Sequence, residues 1–419
     1  MYKLAINNGK RLRTDLFPRR MLERTDEIRY HFSDLVRDNA LSGFRGSWNS
    51  SYYGGVWVQD LEKMYEEYFP GSTAISVNSA TSGLQIACHA IGLKPGDEVI
   101  VTPWSMSCSA SAPLVCGATP VFADIEKDYF CLDPKSVKEN ITDKTKAIIV
   151  VDLFGQGYSP KLDELAKKHG LYIIEDAAQA IGSDSPHGKS GARGDIGIFS
   201  FTQGKHISAG EGGMILTKDE TLADRCQLIR NHAEAVNGDL LQQNKAVAHP
   251  ELFGYNMRLT EVAAMIAGFQ TKGFYEQGLK DIIGRAEKII KRICDAVPTI
   301  KPCKKRFKGD NTHSYYVLPF IYNGEIPRDL FINAVKAELA GEDGRPDKGV
   351  PINGGYIMPL CYNPLFKKEN RNANIPNTKK LQHNSLFLTT LQLLPLTDGD
   401  IEDIGRAFEK VYKYRGELI

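Results

Sequence analysis

A single lysine follows an apolar segment within residues 199–206, whose sequence is Phe-Ser-Phe-Thr-Gln-Gly-Lys-His. The glycine-rich residues 210–213, Gly-Glu-Gly-Gly, come shortly after it, so we expect Lys205 to lie in a loop that ends a buried strand. Because desolvation lowers the pKa of a lysine, an amine in a partly dry loop can act as a nucleophile and a base. Taken alone, this pattern is still more typical of a solvated surface lysine.

A carboxylate follows a second apolar segment, in residues 171–179, Leu-Tyr-Ile-Ile-Glu-Asp-Ala-Ala-Gln. The pattern places Asp176 at the carboxyl end of a predicted strand. A buried carboxylate needs a partner, and a protonated heterocyclic nitrogen would serve while keeping a cofactor ring electron-withdrawing. A plain helix cap explains Asp176 equally well when it is taken alone.

Two further segments precede predicted helices and carry groups that bind anions. Residues 78–83, Asn-Ser-Ala-Thr-Ser-Gly, are small and polar, and backbone N–H groups at the start of a helix attract phosphate. An ordinary N-cap by Ser79 or Thr81 remains the alternative. Residues 254–261 include Asn256, whose amide can donate to an anion, although a turn before a helix explains the same residues.

The elements that position these segments alternate regularly along the chain. Short apolar strands and helices follow one another, which predicts a buried, mostly parallel mixed sheet flanked by helices. The predicted strands are 74–77, 98–102, 120–124, 147–152, 172–175, 195–201 and 213–217. A parallel sheet usually binds its ligand at the carboxyl ends of its strands, where we expect the polar segments to lie.

The pattern changes after Thr260, where a long helical stretch, residues 261–294, leads to a strand at 315–321 and a last amphipathic helix. A chain of 419 residues is too long for one simple core. We therefore expect an N-terminal arm and a large domain over residues 1–260, and a smaller α+β domain over 261–419. Within the first seventy residues we expect irregular structure apart from a helix near 58–68.

Composition and charge exclude several classes of function. The chain is 42% hydrophobic and 25% charged, as in ordinary soluble globular proteins. Its formal net charge of +1 gives no electrostatic reason to expect binding to nucleic acid or to an anionic membrane. No stretch approaches the roughly 18 apolar residues of a membrane-spanning helix, and the N-terminus lacks a signal-peptide core. We expect a cytoplasmic protein with reduced thiols.

Motifs of other enzyme classes are missing from the sequence. The eight cysteines form no C-x-x-C pair and the nine histidines show no H-E-x-x-H spacing, so we expect no metal site. No G-x-G-x-x-G follows a predicted strand, which argues against a nicotinamide enzyme. Residues 188–190, Gly-Lys-Ser, imitate the end of a P-loop, but Gly182 lies one residue too far upstream.

The order and spacing of the polar segments together resemble the DegT/DnrJ/StrS family of sugar aminotransferases. The resemblance runs from about residue 60 to residue 261 and is strongest at 95–100, 117–124, 174–180 and 199–213. It implies the fold-type I architecture of enzymes that depend on pyridoxal 5'-phosphate (PLP). It also implies transfer of an amino group from glutamate or glutamine to a keto-sugar, often linked to a nucleotide, for a surface polysaccharide or a natural product.

The resemblance assigns roles to the central residues of the site. Lys205 matches the lysine that binds PLP covalently and then moves a proton between the substrate and the cofactor. Asp176 matches the carboxylate that pairs with the ring nitrogen of the cofactor. Gln179 matches a residue beside the ring, near its phenolic oxygen.

The resemblance also assigns the phosphate contacts. Ala80, Thr81 and Ser200 match positions that hold the phosphate, and Asn256 matches an asparagine that reaches it from the neighbouring subunit. The last match implies a homodimer with shared active sites. The family usually has glycine at the position of Ala80, and an alanine still offers its N–H unless the backbone needs a positive φ.

Two positions leave alternatives open. The residue that stacks on the cofactor ring is usually aromatic, and the register places Met106 there, with Trp104 as an alternative that serves equally well as a core residue. A subgroup of the family has histidine in place of the lysine and dehydrates sugars, and His206 lies next to Lys205. The family's spacing of three residues after Phe201 reaches Lys205, which favours transamination.

The keto substrate is not readable from the sequence. We expect residues 44–55, 234–249 and 341–362 to shape its site, with Arg230 and His313 as candidate polar contacts. A keto-cyclitol aminotransferase, a PLP-dependent sugar dehydratase and a non-catalytic PLP-binding signalling protein remain the alternatives.

Overall fold

The computed structural model describes residues 3–45, 50–233, 251–340, 350–367 and 373–419. Within them, the predicted sheet is confirmed as a mixed sheet of 7 strands. In chain order these are β1 Thr73–Val77, β2 Glu98–Val101, β3 Thr119–Phe122, β4 Thr145–Val151, β5 Tyr172–Asp176, β6 Ile196–Ser200 and β7 Gly213–Thr217. Every predicted strand of this sheet ends within about two residues of its observed bounds.

The direction of the strands explains where the polar segments meet. The spatial order is β1-β7-β6-β5-β4-β2-β3. Strand β7 runs antiparallel to both of its neighbours, and all the other pairs are parallel. Strands β1, β5 and β6 therefore end at the same edge of the sheet, and β7 begins there.

Helices cover both faces of this sheet. Alternate residues of β4 join two different buried clusters, Ala147 and Ile149 in one and Ile148 and Val150 in the other. A strand buried on both faces needs this continuous apolar sequence. The helices of this part are α1 Thr25–Arg37, α2 Val56–Tyr68, α3 Ala80–Ala90, α4 Cys108–Val115, α5 Pro134–Asn140, α6 Lys161–His169 and α7 Glu220–Arg230.

The C-terminal part contains an antiparallel sheet of 4 strands in the order β10-β11-β9-β8. The strands are β8 Ile300–Pro302, β9 Leu318–Tyr322, β10 Ile352–Gly354 and β11 Leu386–Thr389. The helices are α8 Glu261–Gly273, α9 Leu279–Ala296, α10 Arg328–Glu338, α11 Pro364–Lys367, α12 Pro376–Lys380 and α13 Asp398–Lys413. The smaller α+β region expected after Thr260 is thus present, and the exact domain boundary stays a prediction.

Several helices were missed by the sequence analysis, among them α1 and α4. In helix α1 the buried Leu35 packs with Met265 and Phe269 of α8, whereas Tyr30, Phe32 and Val36 are exposed, which blurs its amphipathic pattern. Helix α4 is short and contains Pro113, which hides its helical pattern. The predicted helical stretch 261–294 is interrupted by one π-helical turn, Phe274–Gly278, between α8 and α9.

The N-terminal residues pack on the C-terminal part of the chain. The carboxylate of Glu417 accepts hydrogen bonds from the backbone N–H groups of Lys3 and Leu4. Arg13 forms ion pairs with Asp400 and Asp403, at 2.8 and 3.0 Å. We call residues 3–24 the N-terminal arm, which these contacts fix against α13.

Other sequence expectations concern membranes, metals and thiols. In the part of the chain that the structure describes, no helix is long and apolar enough to span a membrane. The same residues hold no group of three or more His, Cys, Asp or Glu side chains arranged for a metal ion. All eight cysteines are free thiols.

Candidate active site

A cavity of about 220 Å³ lies at the edge of the sheet where β1, β5 and β6 end. Its lining consists of Ser79, Ala80, Thr81, Ser105, Met106, Cys108, Val151, Asp176, Ala178, Gln179, Ser200, Thr202, Lys205 and Glu211. The sequence-predicted residues in this lining are Ala80, Thr81, Met106, Asp176, Gln179, Ser200 and Lys205. Residues far apart in the sequence thus meet in one place.

One end of the cavity is built to receive an anion. Ser79 is the N-cap of α3, and its hydroxyl accepts a hydrogen bond from the N–H of Ser82 at 3.1 Å. The N–H groups of Ala80 and Thr81, in the first turn of α3, have no partner within the helix. Together with the helix dipole they favour a phosphate.

A glycine lets this helix end approach the sheet. A Cβ added at Gly213 would lie 2.8 Å from the backbone N of Ala80 and 2.8 Å from the backbone O of Phe199. A side chain at position 213 would therefore push α3 away from β6 and β7. Gly213, the last residue of the glycine-rich run after Lys205, allows this close approach because it has no side chain.

Asp176 is a buried carboxylate at the end of β5. One of its oxygens accepts a hydrogen bond from the Ser109 hydroxyl at 2.9 Å, and the other accepts one from the N–H of Ala178 at 3.2 Å. Burial raises the pKa of Asp176, while the hydrogen bond from Ser109 and the charge of Lys205 oppose that rise. A cationic group placed in the cavity would stabilise the ionised carboxylate further.

Lys205 lines the same cavity with its amine partly removed from water. Burial lowers the pKa of Lys205, and the Asp176 carboxylate and the Cys108 thiol oppose this effect. The Nζ atom lies 4.4 Å from the centre of the Tyr316 ring, whose face stabilises a cation. The net effect lowers the pKa of Lys205, which makes its amine easier to deprotonate than that of a solvated lysine.

The side chain of His206 contacts the backbone of Ser314 instead of lining the cavity. Its side chain is buried, and Nε2 forms a hydrogen bond with the backbone O of Ser314 at 2.9 Å. Burial, assisted by the charge of Arg20, lowers the pKa of His206 to about 3. The imidazole is therefore neutral and structural, and it is not part of the cavity lining.

The family is decided by comparison with known proteins. A model of the DegT/DnrJ/EryC1/StrS aminotransferase family matches residues 41–409. The chain belongs to this family. Membership confirms the expected fold-type I architecture, the expected PLP cofactor and the expected class of enzyme, a PLP-dependent aminotransferase.

Relatives and a solved structure extend this comparison. A GDP-perosamine synthase from Caulobacter vibrioides is 37% identical over 267 residues, which cover 60% of this chain and 69% of that protein. An L-glutamine:2-deoxy-scyllo-inosose aminotransferase from Streptomyces kanamyceticus is 30% identical over 440 aligned positions, which cover 99% of this chain and 98% of that protein. The solved structure of an aminotransferase from Psychrobacter cryohalolentis has a TM-score of 0.78 and 26% identity, and covers 95% of this chain and 98% of its own.

The cavity fits the cofactor of the DegT/DnrJ/EryC1/StrS family. The helix end at Ala80 suits a phosphate, and the close approach that Gly213 permits keeps this end next to the sheet. The buried Asp176 suits a protonated ring nitrogen, and the lowered pKa of Lys205 suits covalent attachment of an aldehyde. The donor set is thus complementary to PLP in shape and in charge.

Gln179 is fixed by two hydrogen bonds at the opposite wall of the cavity. Its Oε1 accepts from the N–H of Phe154 at 2.9 Å, and its Nε2 donates to the hydroxyl of Tyr356 at 3.1 Å. Burial raises the pKa of Tyr356 to about 12, so this phenol stays neutral. Tyr356 lies in the segment that we expected to shape the substrate site.

The structure separates the two candidates for the ring-stacking position. Met106 is 56% exposed and lines the cavity. Trp104 is fully buried, and its indole N–H donates to the backbone O of Ile357 and to Gln382 Oε1, each at 3.1 Å. Trp104 is therefore a core residue, and the stacking of Met106 on the cofactor ring stays a prediction.

Asn256 does not reach the cavity within its own chain. It is exposed, and its Oδ1 accepts a hydrogen bond from Arg258 Nε at 2.9 Å. An isolated β-bridge joins it to Asn231. This position is compatible with the expected contact across a subunit interface, which stays a prediction.

Arg230 and His313 were wrong as candidate substrate contacts. Arg230 is fully buried and pairs with Glu62 at 2.6 Å. His313 is also fully buried, and its Nδ1 accepts a hydrogen bond from the N–H of Tyr315 at 3.0 Å. Both are structural in this chain, because they are fully buried and hydrogen-bonded to Glu62 and Tyr315, respectively. Of the expected substrate segments, residues 46–49, 234–249 and 341–349 lie outside the described residues.

The sequence analysis missed three residues next to the reactive groups. Ser109 lies on α4 and donates to Asp176, and Ser105 extends this chain of hydroxyls with an O–O distance of 2.9 Å. Tyr316 lies more than a hundred residues from Lys205 and supplies the ring near its amine. No local sequence pattern marks these residues, because each acquires its role through long-range packing.

Proposed function

We propose that this enzyme transfers an amino group from glutamate or glutamine to the keto group of a sugar, which is linked to a nucleotide. The observation that carries this proposal is the register of the lysine loop, in which Lys205 opens on the cavity and His206 turns into the core. A dehydratase of this family would need the histidine in the cavity. The activity of relatives such as the GDP-perosamine synthase supports a nucleotide-linked sugar as the acceptor.

The cofactor would be held at both of its ends by residues of this chain. Ala80, Thr81 and Ser200 would bind its phosphate, and Asp176 would pair with its ring nitrogen. Gln179 would lie beside the ring, and Met106 would cover one face. When bound, PLP supplies an electron sink that lets an amino group leave a donor and enter a carbonyl carbon.

The residues of the chain would divide the acid–base work between them. Lys205 would hold the cofactor through its amine, and when a substrate amine displaces it, the free Nζ would carry a proton at the reacting carbon. Asp176 would keep a proton on the ring nitrogen through its negative charge. The hydrogen bond from Ser109 would keep that carboxylate ionised and oriented.

The proposal includes a homodimer in which each subunit completes the site of the other. The exposed position of Asn256, which does not line the cavity of its own chain, supports a contact with the partner's phosphate site. A nucleotide-linked substrate and eight free thiols support a cytoplasmic location. Biosynthesis of an amino sugar for a surface polysaccharide or a natural product is the setting that fits this acceptor.

A keto-cyclitol is the second candidate acceptor, for one specific reason. The aminotransferase from Streptomyces kanamyceticus that aligns with 99% of this chain is named for 2-deoxy-scyllo-inosose, whereas alignments with GDP-perosamine synthases cover 60 to 85%. Full-length similarity includes the N-terminal arm, which packs close to the lysine loop. The two acceptors therefore need to be compared in one experiment.

The test separates the two half-reactions of the purified enzyme. Glutamate or glutamine alone is expected to change the absorbance of the bound cofactor, and only a keto-sugar or a keto-cyclitol should then restore it. Restoration by nucleotide-linked keto-sugars supports the proposal, and restoration by cyclitols alone supports the second candidate. No response to any amino donor would overturn both and favour a signalling protein, and loss of water from a sugar would indicate a dehydratase.

Covalent attachment provides the control for this test. Borohydride reduction followed by mass measurement should show the cofactor on Lys205, and Lys205→Ala should abolish it. The matched control is Lys218→Ala, since Lys218 is exposed and donates to the backbone O of Ala192 away from the cavity. Attachment that survives in Lys205→Ala would remove Lys205 from its proposed role.

A further inference from the structure

Arg20 of the N-terminal arm binds the backbone that carries the lysine. Its Nη1 donates to the backbone O of Lys205 at 2.7 Å, and its Nη2 donates to the backbone O of His206 at 2.5 Å. One planar guanidinium thus contacts two consecutive carbonyl groups. Such charge-assisted hydrogen bonds are stronger than neutral ones, and the rigid fork of arginine makes the pair directional.

The loop around Lys205 is closed by backbone hydrogen bonds from Gln203 N–H to Gly210 O at 2.8 Å and from Ala209 N–H to Phe201 O at 2.9 Å, yet two of its carbonyl groups receive none from the described residues. It forms no helix or strand, and in the described part of the chain no backbone N–H donates to the carbonyl of Lys205 or of His206. Glycines with positive φ lie on both sides of these residues, Gly204 at 94° and Gly210 at 83°. Glycine permits many backbone conformations, so a contact at the carbonyl groups between the two glycines further restricts the conformation of this segment.

The residues before and after Arg20 in the arm are held by contacts with other side chains. On its N-terminal side, Phe17 is buried, and the guanidinium of Arg13 lies 4.2 Å from its ring centre. On its C-terminal side, Gln270 Nε2 of α8 donates to the backbone O of Glu23 at 2.7 Å. The arm therefore presents Arg20 from a fixed support.

Because the guanidinium of Arg20 is partly buried, its contact with the carbonyl groups of the loop is energetically favourable. Burial lowers the pKa of Arg20, and the carboxylate of Glu23 opposes this effect. A guanidinium stays protonated even so, and a partly buried cation needs acceptors. The two carbonyl groups of the loop provide them.

The side chains of the loop add a second constraint. The ring of His206 is fixed by the backbone O of Ser314, and Tyr316 packs near both residues, 5.6 Å from the His206 ring and 4.4 Å from Lys205 Nζ. With the backbone held by Arg20 and the imidazole held by Ser314, the loop cannot rotate to exchange the two side chains. The contact thus favours the register in which the lysine faces the cavity.

We propose that Arg20 is a positioning residue for Lys205, fixing the lysine loop from the N-terminal arm so that the amine stays aimed at the cofactor. This inference rests on the proposed role of Lys205 in holding the cofactor. It gives the arm a part in the reaction, although the arm contributes no atom to the cavity lining.

The experiment compares Arg20→Ala with a matched variant, Arg13→Ala, in the full-length protein. Arg13 belongs to the same arm but pairs with Asp400 and Asp403, away from the loop. Hydrogen–deuterium exchange of the peptide over residues 201–212 is measured with and without PLP, together with PLP retention. For Arg20→Ala we expect faster exchange of this peptide and PLP retention weakened by about tenfold or more, as the loss of a charged hydrogen bond implies. Arg13→Ala loosens the arm without removing a contact to the loop, so it should change the exchange of this peptide less than Arg20→Ala does.

Several outcomes would overturn the inference. Unchanged exchange of the loop in Arg20→Ala is one, and an equal change in Arg13→Ala is another, because the effect would then belong to docking of the whole arm. If Arg20→Ala does not fold, Arg20→Lys takes its place, and exchange identical to that of the wild type would show that the planar fork is not needed.

Failure of the proposed function gives a different signature from failure of this inference. If the wild type does not attach PLP to Lys205, the proposed function fails, while the exchange of the loop still reports on Arg20. If attachment occurs but Arg20→Ala retains PLP and loop protection as the wild type does, only the positioning role fails.

Discussion

The Lys205 amine and the Asp176 carboxylate line one cavity, and each opposes the pKa shift that burial imposes on the other. Burial favours the neutral form of both groups, whereas their opposite charges favour the ionised forms. The balance leaves a lysine that is easier to deprotonate than one in water. It also leaves a carboxylate with a raised pKa, whose ionised form a second cation would stabilise.

This relationship predicts the pH dependence of the lysine in cofactor-free protein. Because the carboxylate stabilises the ammonium form, Asp176 raises the pKa of Lys205, and Asp176→Asn should lower it further. The neutral amine would then appear at lower pH. The rate at which an amine-reactive reagent labels Lys205, followed by mass spectrometry against pH, should show a midpoint displaced to lower pH.

The exposed Asp398 supplies the control for this measurement. Asp398→Asn removes a carboxylate that pairs with Lys288 on the surface, and it should leave the labelling profile of Lys205 unchanged. A midpoint that stays fixed or rises in Asp176→Asn would show that the two groups do not interact as described.

The close approach at Gly213 predicts a loss of stability and of phosphate binding together. Gly213→Ala places a Cβ 2.8 Å from backbone atoms of Ala80 and Phe199, so we expect a loss of about 1–3 kcal/mol in the free energy of unfolding. Inorganic phosphate and PLP should both bind more weakly, because the end of α3 moves. Denaturant unfolding and a phosphate competition assay measure the two effects.

Gly268 provides a matched control on α8. A Cβ there meets no atom within 4 Å, so Gly268→Ala should increase stability by about 0.5–1 kcal/mol through helix propensity. Equal stability changes in the two variants would refute the steric explanation for Gly213.

The shared-site proposal predicts complementation between two inactive variants. Lys205→Ala and Asn256→Ala should each have low activity, but a mixed dimer contains one site with the native lysine of one subunit and the native asparagine of the other. After subunit exchange, random assortment should restore about a quarter of the wild-type activity. Activity of the mixture that merely equals the average of the two variants would place Asn256 outside the partner's site.

The buried ion pair between Arg230 and Glu62 predicts a purely structural phenotype. Arg230→Met leaves Glu62 as an uncompensated buried charge, so we expect a loss of about 3–5 kcal/mol in stability. The double variant Glu62→Leu with Arg230→Met should recover part of it. The KM for the keto substrate, measured on folded protein, should stay constant, and an increased KM without a loss of stability would restore Arg230 as a substrate contact.

The sequence by itself determined the sheet and the chemistry of its edge. Continuous apolar runs such as Ala147–Val151 can be satisfied only when both faces of a strand are covered, so the parallel sheet was predictable from local pattern. The order of residues 78–83, Asp176 and Lys205 along that sheet was sufficient to predict a cofactor site. The resemblance to the family, through its spacing after Phe201, also favoured Lys205 over His206.

Only the tertiary structure decided which polar residues face the cavity. Arg230 and His313 looked available in the sequence but are fully buried, Arg230 against the distant Glu62, and Trp104 is held in the core by Ile357 and Gln382. Ser109, Tyr316 and Arg20 acquire their roles through contacts that no local pattern encodes. Burial and hydrogen-bond partners depend on residues distant in sequence, so packing had to be seen before these roles were assigned.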